Sequence, residues 1–211
     1  MKKTTLALAM GLMISGAANA ALEANIGATS NYMWRGMTQS TSDAAVSGGL
    51  DYSNDSGAYA GTWVSSLGGN GAGTEIDYYA GFSGETVDGI GYDIGYIYYA
   101  YQNAPVAIND FAEVYGSVTM SGVTAGIASE VYTQGGTDLD QTYYSLSSDF
   151  ELTDGFGLTA TAGRYNRDGS ANFTHLTFDV TKDDFTFSLS KAGSSSGDDS
   201  VIPYVSYSKT F

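Results

Sequence analysis

The feature that most constrains this chain is an alternation of apolar and polar residues that returns repeatedly from residue 21 to the C-terminus. In the first segment Leu22, Ala24 and Ile26 are separated by Glu23 and Asn25. A period of two is typical of a β-strand with one apolar and one polar face. The pattern recurs at residues 46–52, 75–83, 90–98, 112–120, 123–131, 144–152, 156–162, 176–180, 185–189 and 201–211. With the more ambiguous segment 57–66, it predicts about twelve strands of roughly ten residues, the length that a tilted strand needs to cross a bilayer.

Composition and charge exclude several other classes of protein. The 211 residues include 28 Gly and 17 Tyr, and because Gly costs about 1 kcal/mol per helical position, a helical bundle is not expected. The absence of Cys excludes a disulfide framework, a thiolate zinc site and a cysteine nucleophile. The net charge of −15 repels phosphate backbones, so the sequence predicts no nucleic-acid partner.

Residues 1–20 have the pattern of a cleaved secretory signal. They begin with Met1-Lys2-Lys3, continue with an apolar run from Leu6 to Ile14 and end in Ala18-Asn19-Ala20. The apolar run is about half of the roughly 20 residues that a membrane helix requires. We therefore expect a mature, exported chain of residues 21–211 that forms one domain.

The links between the predicted strands alternate in length. Short turns are predicted at 54–57, 121–122, 153–155 and 182–183, with the link 83–89 on the same side, and longer links at 35–43, 67–74, 102–110, 133–141, 166–171 and 192–200. Bacterial outer-membrane barrels have short periplasmic turns and longer external loops. The sequence therefore predicts an all-β fold, a single antiparallel transmembrane β-barrel in the outer membrane with both termini periplasmic. A soluble β-sandwich remains the alternative, because its strands also alternate.

Three features favour the barrel over the sandwich. Aromatic residues cluster near predicted strand ends, as expected at headgroup depth, at Tyr32 and Trp34, Tyr96 to Tyr101, Tyr143 and Tyr144, and Tyr204 and Tyr207. The apolar face is rich in Ala and Gly, which suits lipid better than a close-packed interior. The chain ends in an alternating strand with Phe211, similar to the membrane-insertion signal read by the barrel assembly machinery, although Lys209 stands where an apolar residue is usual. We expect outer-membrane lipid and lipopolysaccharide as its other partners.

Two segments carry a family resemblance. Residues 30–40 (SNYMWRGMTQS) and 57–66 (GAYAGTWVSS) resemble the TorF family of porins, also known as the Gcw_chp family of bacterial outer-membrane proteins. The family-like positions are Tyr32, Arg35, Gly36, Gln39, Tyr59, Gly61 and Trp63. The resemblance implies an outer-membrane barrel described as a porin, and it brings no established substrate and no catalytic residues.

The lumen of such a barrel is expected to be acidic. Twelve strands spaced about 4.8 Å apart and tilted by about 40° enclose a backbone radius of roughly 12 Å, which leaves a narrow or plugged channel. Inward-facing Gly residues, among them Gly27, Gly81, Gly95 and Gly163, are expected to keep space open. The predicted pore-lining residues are Glu23, Asp51, Glu75, Asp77, Asp93, Glu113, Glu130, Asp149, Glu151 and Asp179, opposed chiefly by Arg35. Because acidic walls concentrate cations, we expect passive, weakly cation-selective diffusion of small solutes. The alternative is that many of these acids lie outside the constriction and serve solubility.

Arg35 has two interpretations. As the lone inward base near the end of the first strand, it either polarises the channel mouth or pairs with a carboxylate to close the barrel.

Catalysis, metals and cofactors are not expected. His175 is the chain's one His, and Asp179 follows on the same phase, but no Gly-x-Ser-x-Gly motif accompanies them. The acidic pairs Asp138 and Asp140, and Asp198 and Asp199, lack EF-hand spacing. A non-conducting barrel that acts as an anchor or a surface-binding protein remains the main functional alternative, ahead of a β-sandwich or barrel enzyme. Outer faces rich in Ala and Gly suit an interface between subunits as well as contact with lipid, so a homo-oligomer remains an alternative to a monomer.

Overall fold

The protein is a closed antiparallel β-barrel of twelve strands, as the sequence predicts. The computed structural model describes residues 21–68, 73–103, 109–136, 141–167 and 170–211. The wall strands are β1 (Ala21–Thr29), β4 (Ala45–Ser53), β5 (Ala58–Ser66), β6 (Thr74–Glu85), β7 (Gly91–Gln102), β8 (Phe111–Met120), β9 (Val123–Thr133), β10 (Thr142–Glu151), β11 (Gly157–Asn166), β12 (Phe173–Lys182), β13 (Phe185–Ala192) and β14 (Ile202–Thr210). A separate two-stranded hairpin consists of β2 (Met33–Trp34) and β3 (Met37–Thr38), and two single 3₁₀ turns span Thr153–Gly155 and Ser194–Ser196. The predicted signal, and the acids at 138 and 140, lie outside the described residues.

Closure of the barrel depends on the first strand. β1 pairs with β14, where Asn25 lies opposite Thr210, and with β4, where Ala21 lies opposite Ser53. Every other wall strand pairs with its neighbours in the sequence, with one register shift between Ala112 and Glu113. Closure leaves no unpaired sheet edge among these strands.

The alternation sorts the side chains of each strand to the two faces of the wall. The outward side chains form an apolar belt that includes Leu22, Ile26, Leu50, Ile94, Val118, Leu146, Phe178 and Leu189, all of them exposed. A continuous apolar belt of this kind suits a lipid environment. The inward side chains are mostly polar or aromatic. No helix among the described residues is long and apolar enough to span a membrane.

The two ends of the barrel differ in their connections. At one end, here called the turn end, lie both ends of the described chain and tight turns such as Asn54–Gly57, where the Gly57 N–H donates to the Asn54 carbonyl at 3.0 Å. The opposite end, here called the loop end, carries the longer links. The predicted alternation of short and long links is therefore confirmed, while the periplasmic location of the termini stays a prediction.

The first strand is shorter than the sequence predicts. It ends at Thr29, so Tyr32 and Trp34 do not continue its outward face, and their expected place at the lipid headgroups is wrong. The Thr29 hydroxyl donates to the Asn31 carbonyl, and the Tyr32 N–H donates to the Ser40 hydroxyl, both at 2.9 Å. These bonds turn the chain inward.

Candidate functional site

Residues 30–43 fold into the loop end of the lumen, and we call them the plug hairpin. Met33 pairs with Thr38 and Trp34 with Met37, which leaves Arg35 and Gly36 at the tip. Gly36 has a φ of +80°, and a Cβ at this position would lie 2.6 Å from the Cβ of His175. Only Gly fits a left-handed position so close to the wall.

The plug hairpin contacts strands around almost the whole ring. Its Tyr32 reaches β5 and β6, its Trp34 packs edge-on against rings of β7, β8 and β11, and its Gly36 lies against β12 and β13. The Thr38 N–H also donates to the Asp198 carboxylate in the loop before β14, at 3.0 Å. The hairpin therefore crosses the lumen rather than lining one side of it.

Arg35 is the centre of this plug. Its Nη1 and Nη2 donate to the two carboxylate oxygens of Glu113 at 2.6 and 2.7 Å. Its Cζ lies 4.2 Å from the ring centre of Trp34, 4.4 Å from that of Tyr143 and 5.3 Å from that of Tyr165. The side chains of Arg35 and Glu113 are only 8% and 1% exposed. Burial disfavours the charged guanidinium, but the adjacent Glu113 carboxylate outweighs it and keeps the pKa of Arg35 above its ordinary value.

This geometry changes the prediction for Arg35. The residue lies at the hairpin tip rather than at the end of the first strand, so it stands in the lumen and not on the wall. It pairs with a carboxylate, as one interpretation expects, but the pair joins the hairpin to β8 instead of closing the barrel. A buried bidentate pair of this kind fixes the hairpin's position.

Tyr32 is the second anchor of the plug hairpin. Its hydroxyl donates to Glu75 at 2.6 Å, and its ring packs edge-on against Trp63 with 5.4 Å between ring centres. Burial, together with the negative charges of Glu75 and Asp77, raises the pKa of Tyr32 well above its ordinary value, so the phenol remains a donor. Gln39 completes the hairpin, because its N–H donates to the Tyr32 carbonyl at 2.7 Å.

The predicted pore-lining acids fall into three groups by their burial and their hydrogen-bond partners. Glu75, Asp77 and Glu113 lie buried beside the plug hairpin at the loop end. One oxygen of Asp77 has no hydrogen-bond partner among the described residues. Glu130 lies at the same end, where the Thr133 hydroxyl donates to it.

A second group of acids accepts hydrogen bonds from hydroxyl groups. Tyr79 donates to Asp51, which also accepts from the Asn25 side chain at 3.0 Å. Further around the ring the donors are Tyr59 to Asp93 at 2.6 Å and Ser188 to Asp179 at 2.5 Å. The third group is exposed towards the turn end and consists of Glu23, Asp149 and Glu151.

Several inward-facing Gly residues give room to aromatic rings instead of keeping the lumen open, contrary to the sequence-based expectation. Gly61 lies directly opposite Tyr79, and Gly81 directly opposite Tyr59. A Cβ on Gly61 would lie 2.5 Å from the Tyr79 ring, and one on Gly81 would collide with the Tyr59 hydroxyl. The absent side chains give room to tyrosine rings that lie across the neighbouring strand, an arrangement known to stabilise glycines in sheets.

His175 and Asp179 face the lumen but do not form a catalytic set. The His175 Nε2 lies 2.8 Å from the Tyr143 hydroxyl and its Nδ1 lies 3.3 Å from the Thr177 hydroxyl. Asp179 instead accepts from Ser188. Within the described ranges, no group of three or more His, Cys, Asp or Glu residues is arranged to hold a metal ion.

A known protein family matches this chain. A family model described as a bacterial protein of unknown function, Gcw_chp, matches residues 14–197. The chain belongs to the Gcw_chp family. A comparison with curated proteins found no match.

Several solved structures are similar to this Gcw_chp chain. The KdgM porin, solved in complex with disordered oligogalacturonate, is similar with a TM-score of 0.56 at 4% identity, over 90% of this chain and 98% of that chain. OccAB2 of Acinetobacter baumannii gives a TM-score of 0.43 at 12% identity, over 89% of this chain and 60% of that one. LpxR from Salmonella typhimurium gives 0.39 at 12% identity, over 90% and 99%. The likeness to the KdgM porin shows that the Gcw_chp barrel shares its fold with a porin.

Sequence reasoning missed the aromatic wall around Arg35 in this Gcw_chp barrel. Tyr99 and Tyr143 were grouped with the interfacial aromatics, but they point inward, and Tyr99 is 1% exposed. The phase of the alternation carried the signal: Tyr99 stands on the phase opposite to Tyr96 and Tyr98. An aromatic residue on the polar phase indicates a packed lumen rather than a lipid interface.

Proposed function

We propose that this protein is an outer-membrane channel for the passive diffusion of small solutes with a preference for cations, closed by its plug hairpin. One observation carries the proposal: a closed twelve-strand barrel has an apolar outside and an acidic inside. The secretory signal predicted at residues 1–20 supports export, and the fold shared with the KdgM porin agrees with this assignment.

The charge of the lumen supports a preference for cations. The lumen carries further acids besides those beside the plug hairpin, among them Glu23, Asp51, Asp93 and Asp149. The guanidinium of Arg35 is already paired with Glu113 and does not offset the others. Carboxylates in a narrow tube attract cations and repel anions.

A non-conducting barrel is the second candidate, because the plug hairpin contacts strands from β5 to β13. The channel proposal therefore requires that the hairpin leaves the lumen at least part of the time. Arg35→Ala removes the buried ion pair and should raise the open fraction.

Conductance of the mature chain in a planar bilayer tests the proposal. In a KCl gradient we expect discrete current steps with a cation-biased reversal potential, and a larger or more frequent open level for Arg35→Ala. Arg164→Ala is the matched control, because this side chain is exposed on the outer face of β11. A barrel that inserts correctly but stays silent as wild type and as Arg35→Ala would refute the channel and support the anchor.

Membrane placement is a separate part of the proposal. We infer that the apolar belt contacts outer-membrane lipid, that lipopolysaccharide surrounds the loop end and that the barrel assembly machinery recognises the last strand. The Phe211 N–H donates to the Ala24 carbonyl at 2.8 Å, and the Phe211 side chain is 71% exposed. Deletion of Phe211 should lower the amount of folded, heat-modifiable barrel in outer-membrane fractions. An unchanged amount would refute the role of this residue in insertion.

A further inference from the structure

The pocket that holds Arg35 belongs to the barrel wall, whereas Arg35 belongs to the plug hairpin. Glu113 on β8 accepts both guanidinium N–H groups. The rings of Tyr143 on β10 and Tyr165 on β11 lie over the guanidinium carbon. Only the ring of Trp34 comes from the hairpin itself. The wall thus forms a pocket for a guanidinium group, and the group that fills it, Arg35, belongs to the plug hairpin.

Withdrawal of the plug hairpin would remove the ion partner of Glu113. Glu113 is 1% exposed, and the wall's own hydrogen bond to it comes from the Tyr99 hydroxyl at 3.2 Å. A buried carboxylate that loses its ion partner is strongly unfavourable. A cation that pairs with the Glu113 carboxylate is therefore the natural replacement for Arg35.

The shape of the pocket selects among cations. Glu113 engages two N–H groups at once, which a planar guanidinium can supply in the right geometry and an ammonium cannot. The two tyrosine faces favour a flat, weakly hydrated cation. A guanidinium should therefore bind here more tightly than an ammonium of equal charge.

The backbone of the plug hairpin makes its withdrawal easier. Three residues other than Gly have positive φ values: Arg35 at 50°, Thr41 at 56° and Ser42 at 64°. Left-handed conformations of this kind persist only where surrounding contacts hold them. Binding of Arg35 in the pocket therefore contributes much of the stability of the closed state. A solute that competes for the pocket shifts the population towards the open state.

We propose that the Glu113 pocket is a binding site for guanidinium-bearing solutes such as arginine, and that Arg35 is a built-in competitor that fills this site in the closed channel. The proposal rests on the proposed channel function and names the class of solute that the channel prefers.

Chemical rescue of Arg35→Ala tests the pocket. The variant leaves a space the size of a guanidinium group beside Glu113, and millimolar guanidinium chloride is added at constant ionic strength. Ammonium chloride controls for charge, and urea, which is planar and neutral, controls for shape. Two readouts are followed: the thermal unfolding midpoint of the barrel in detergent and the KCl current in a planar bilayer.

We expect guanidinium to raise the unfolding midpoint of Arg35→Ala and to reduce its current. Binding should be at least about tenfold weaker for ammonium and for the double variant Arg35→Ala/Glu113→Gln, since both lose the bidentate charged pair. Should the Gln variant fail to fold, Arg35→Ala/Tyr143→Leu removes one ring face instead and should also weaken binding. Equal effects of guanidinium and ammonium, or guanidinium binding that is insensitive to these changes, would overturn the proposal.

Wild-type protein tests whether a permeating solute uses the site. In liposome-swelling or current-block measurements, arginine should interact more strongly than citrulline, which has a neutral group of the same shape. If Arg35→Ala conducts KCl but does not bind guanidinium, the solute class is wrong and the channel stands. If guanidinium stabilises Arg35→Ala through Glu113 but no variant conducts, the channel is wrong, and with it the role of the pocket in permeation.

Discussion

Replacement of Gly36 by Ala should release the plug hairpin from the lumen. The φ of +80° costs a residue with a Cβ about 1–2 kcal/mol. The new Cβ would also lie 2.6 Å from the Cβ and 2.9 Å from the Cγ of His175, and relief of such overpacking costs about 1–3 kcal/mol. The total of about 2–5 kcal/mol matches the roughly 3–5 kcal/mol lost when one partner of a buried ion pair is removed. The variant should therefore spend a large part of its time with the hairpin displaced and Arg35 away from Glu113.

Tryptophan fluorescence reports this displacement directly. The chain contains two Trp residues: Trp34 lies in the plug hairpin, and Trp63 packs against Tyr32 of the same hairpin. Displacement exposes both rings, so the emission of Gly36→Ala should shift to longer wavelength while the circular dichroism of the barrel remains. Under the channel proposal the KCl conductance should rise in parallel.

Gly89→Ala is the matched control for this experiment. Gly89 has a φ of +76°, but a Cβ there would meet nothing within 4 Å. This variant carries the backbone cost without the collision, at the turn end and far from the hairpin. If Gly36→Ala folds and has the same emission and conductance as Gly89→Ala, the argument that Gly36 holds the hairpin against the wall is wrong.

Three further predictions concern stability, measured by urea unfolding of the refolded barrel. Tyr32→Phe should lower the free energy of unfolding by about 1.5–3 kcal/mol, because Glu75 loses a buried donor; no change would show that water replaces the phenol. Gly163→Ala should cost about 1–3 kcal/mol through collision with the histidine and tyrosine rings opposite, whereas Gly157→Ala on the same strand meets nothing within 4 Å and should be neutral or slightly stabilising. Equal effects of the two Gly variants would refute the packing argument. Lys209→Met should change stability little, because its ion pair with the turn between β12 and β13 is exposed; a large loss would mean that the pair locks β14 in place.

The barrel wall was predictable because one physical rule governs most of it. A strand between lipid and lumen must alternate, so residues such as Ile94, Leu146 and Phe178 report their face directly. The count of twelve strands and the alternation of short and long links follow from the same rule. Strand ends shifted by a few residues in several places, as at β7 and β11, and the first strand ends early at Thr29, where the chain turns inward.

The contents of the lumen were not predictable in the same way. Alternation continues through Tyr32 and Trp34, and a side chain buried in a lumen looks the same in a sequence as one buried in lipid. The role of Gly81 depends on register, which places Tyr59 directly opposite it on the neighbouring strand. The register between neighbouring strands is not predictable from a single sequence. A Gly that makes room for an aromatic ring therefore cannot be distinguished in the sequence from a Gly that leaves empty space.

The two segments that carry the family resemblance meet in one place, and this bears on what the resemblance encodes. Residues 30–40 form most of the plug hairpin, and Trp63 of the second segment is the ring on which Tyr32 packs. A barrel wall needs little more than alternation, which many unrelated sequences satisfy, as the 4% identity with the KdgM porin illustrates. The hairpin requires more specific residues: a Gly at its tip, an Arg that donates to a buried carboxylate and a Tyr that donates to a second buried carboxylate. The most specific information in this sequence therefore describes how the lumen is closed, and the residues around the plug hairpin, rather than the wall as a whole, are where function should be altered first.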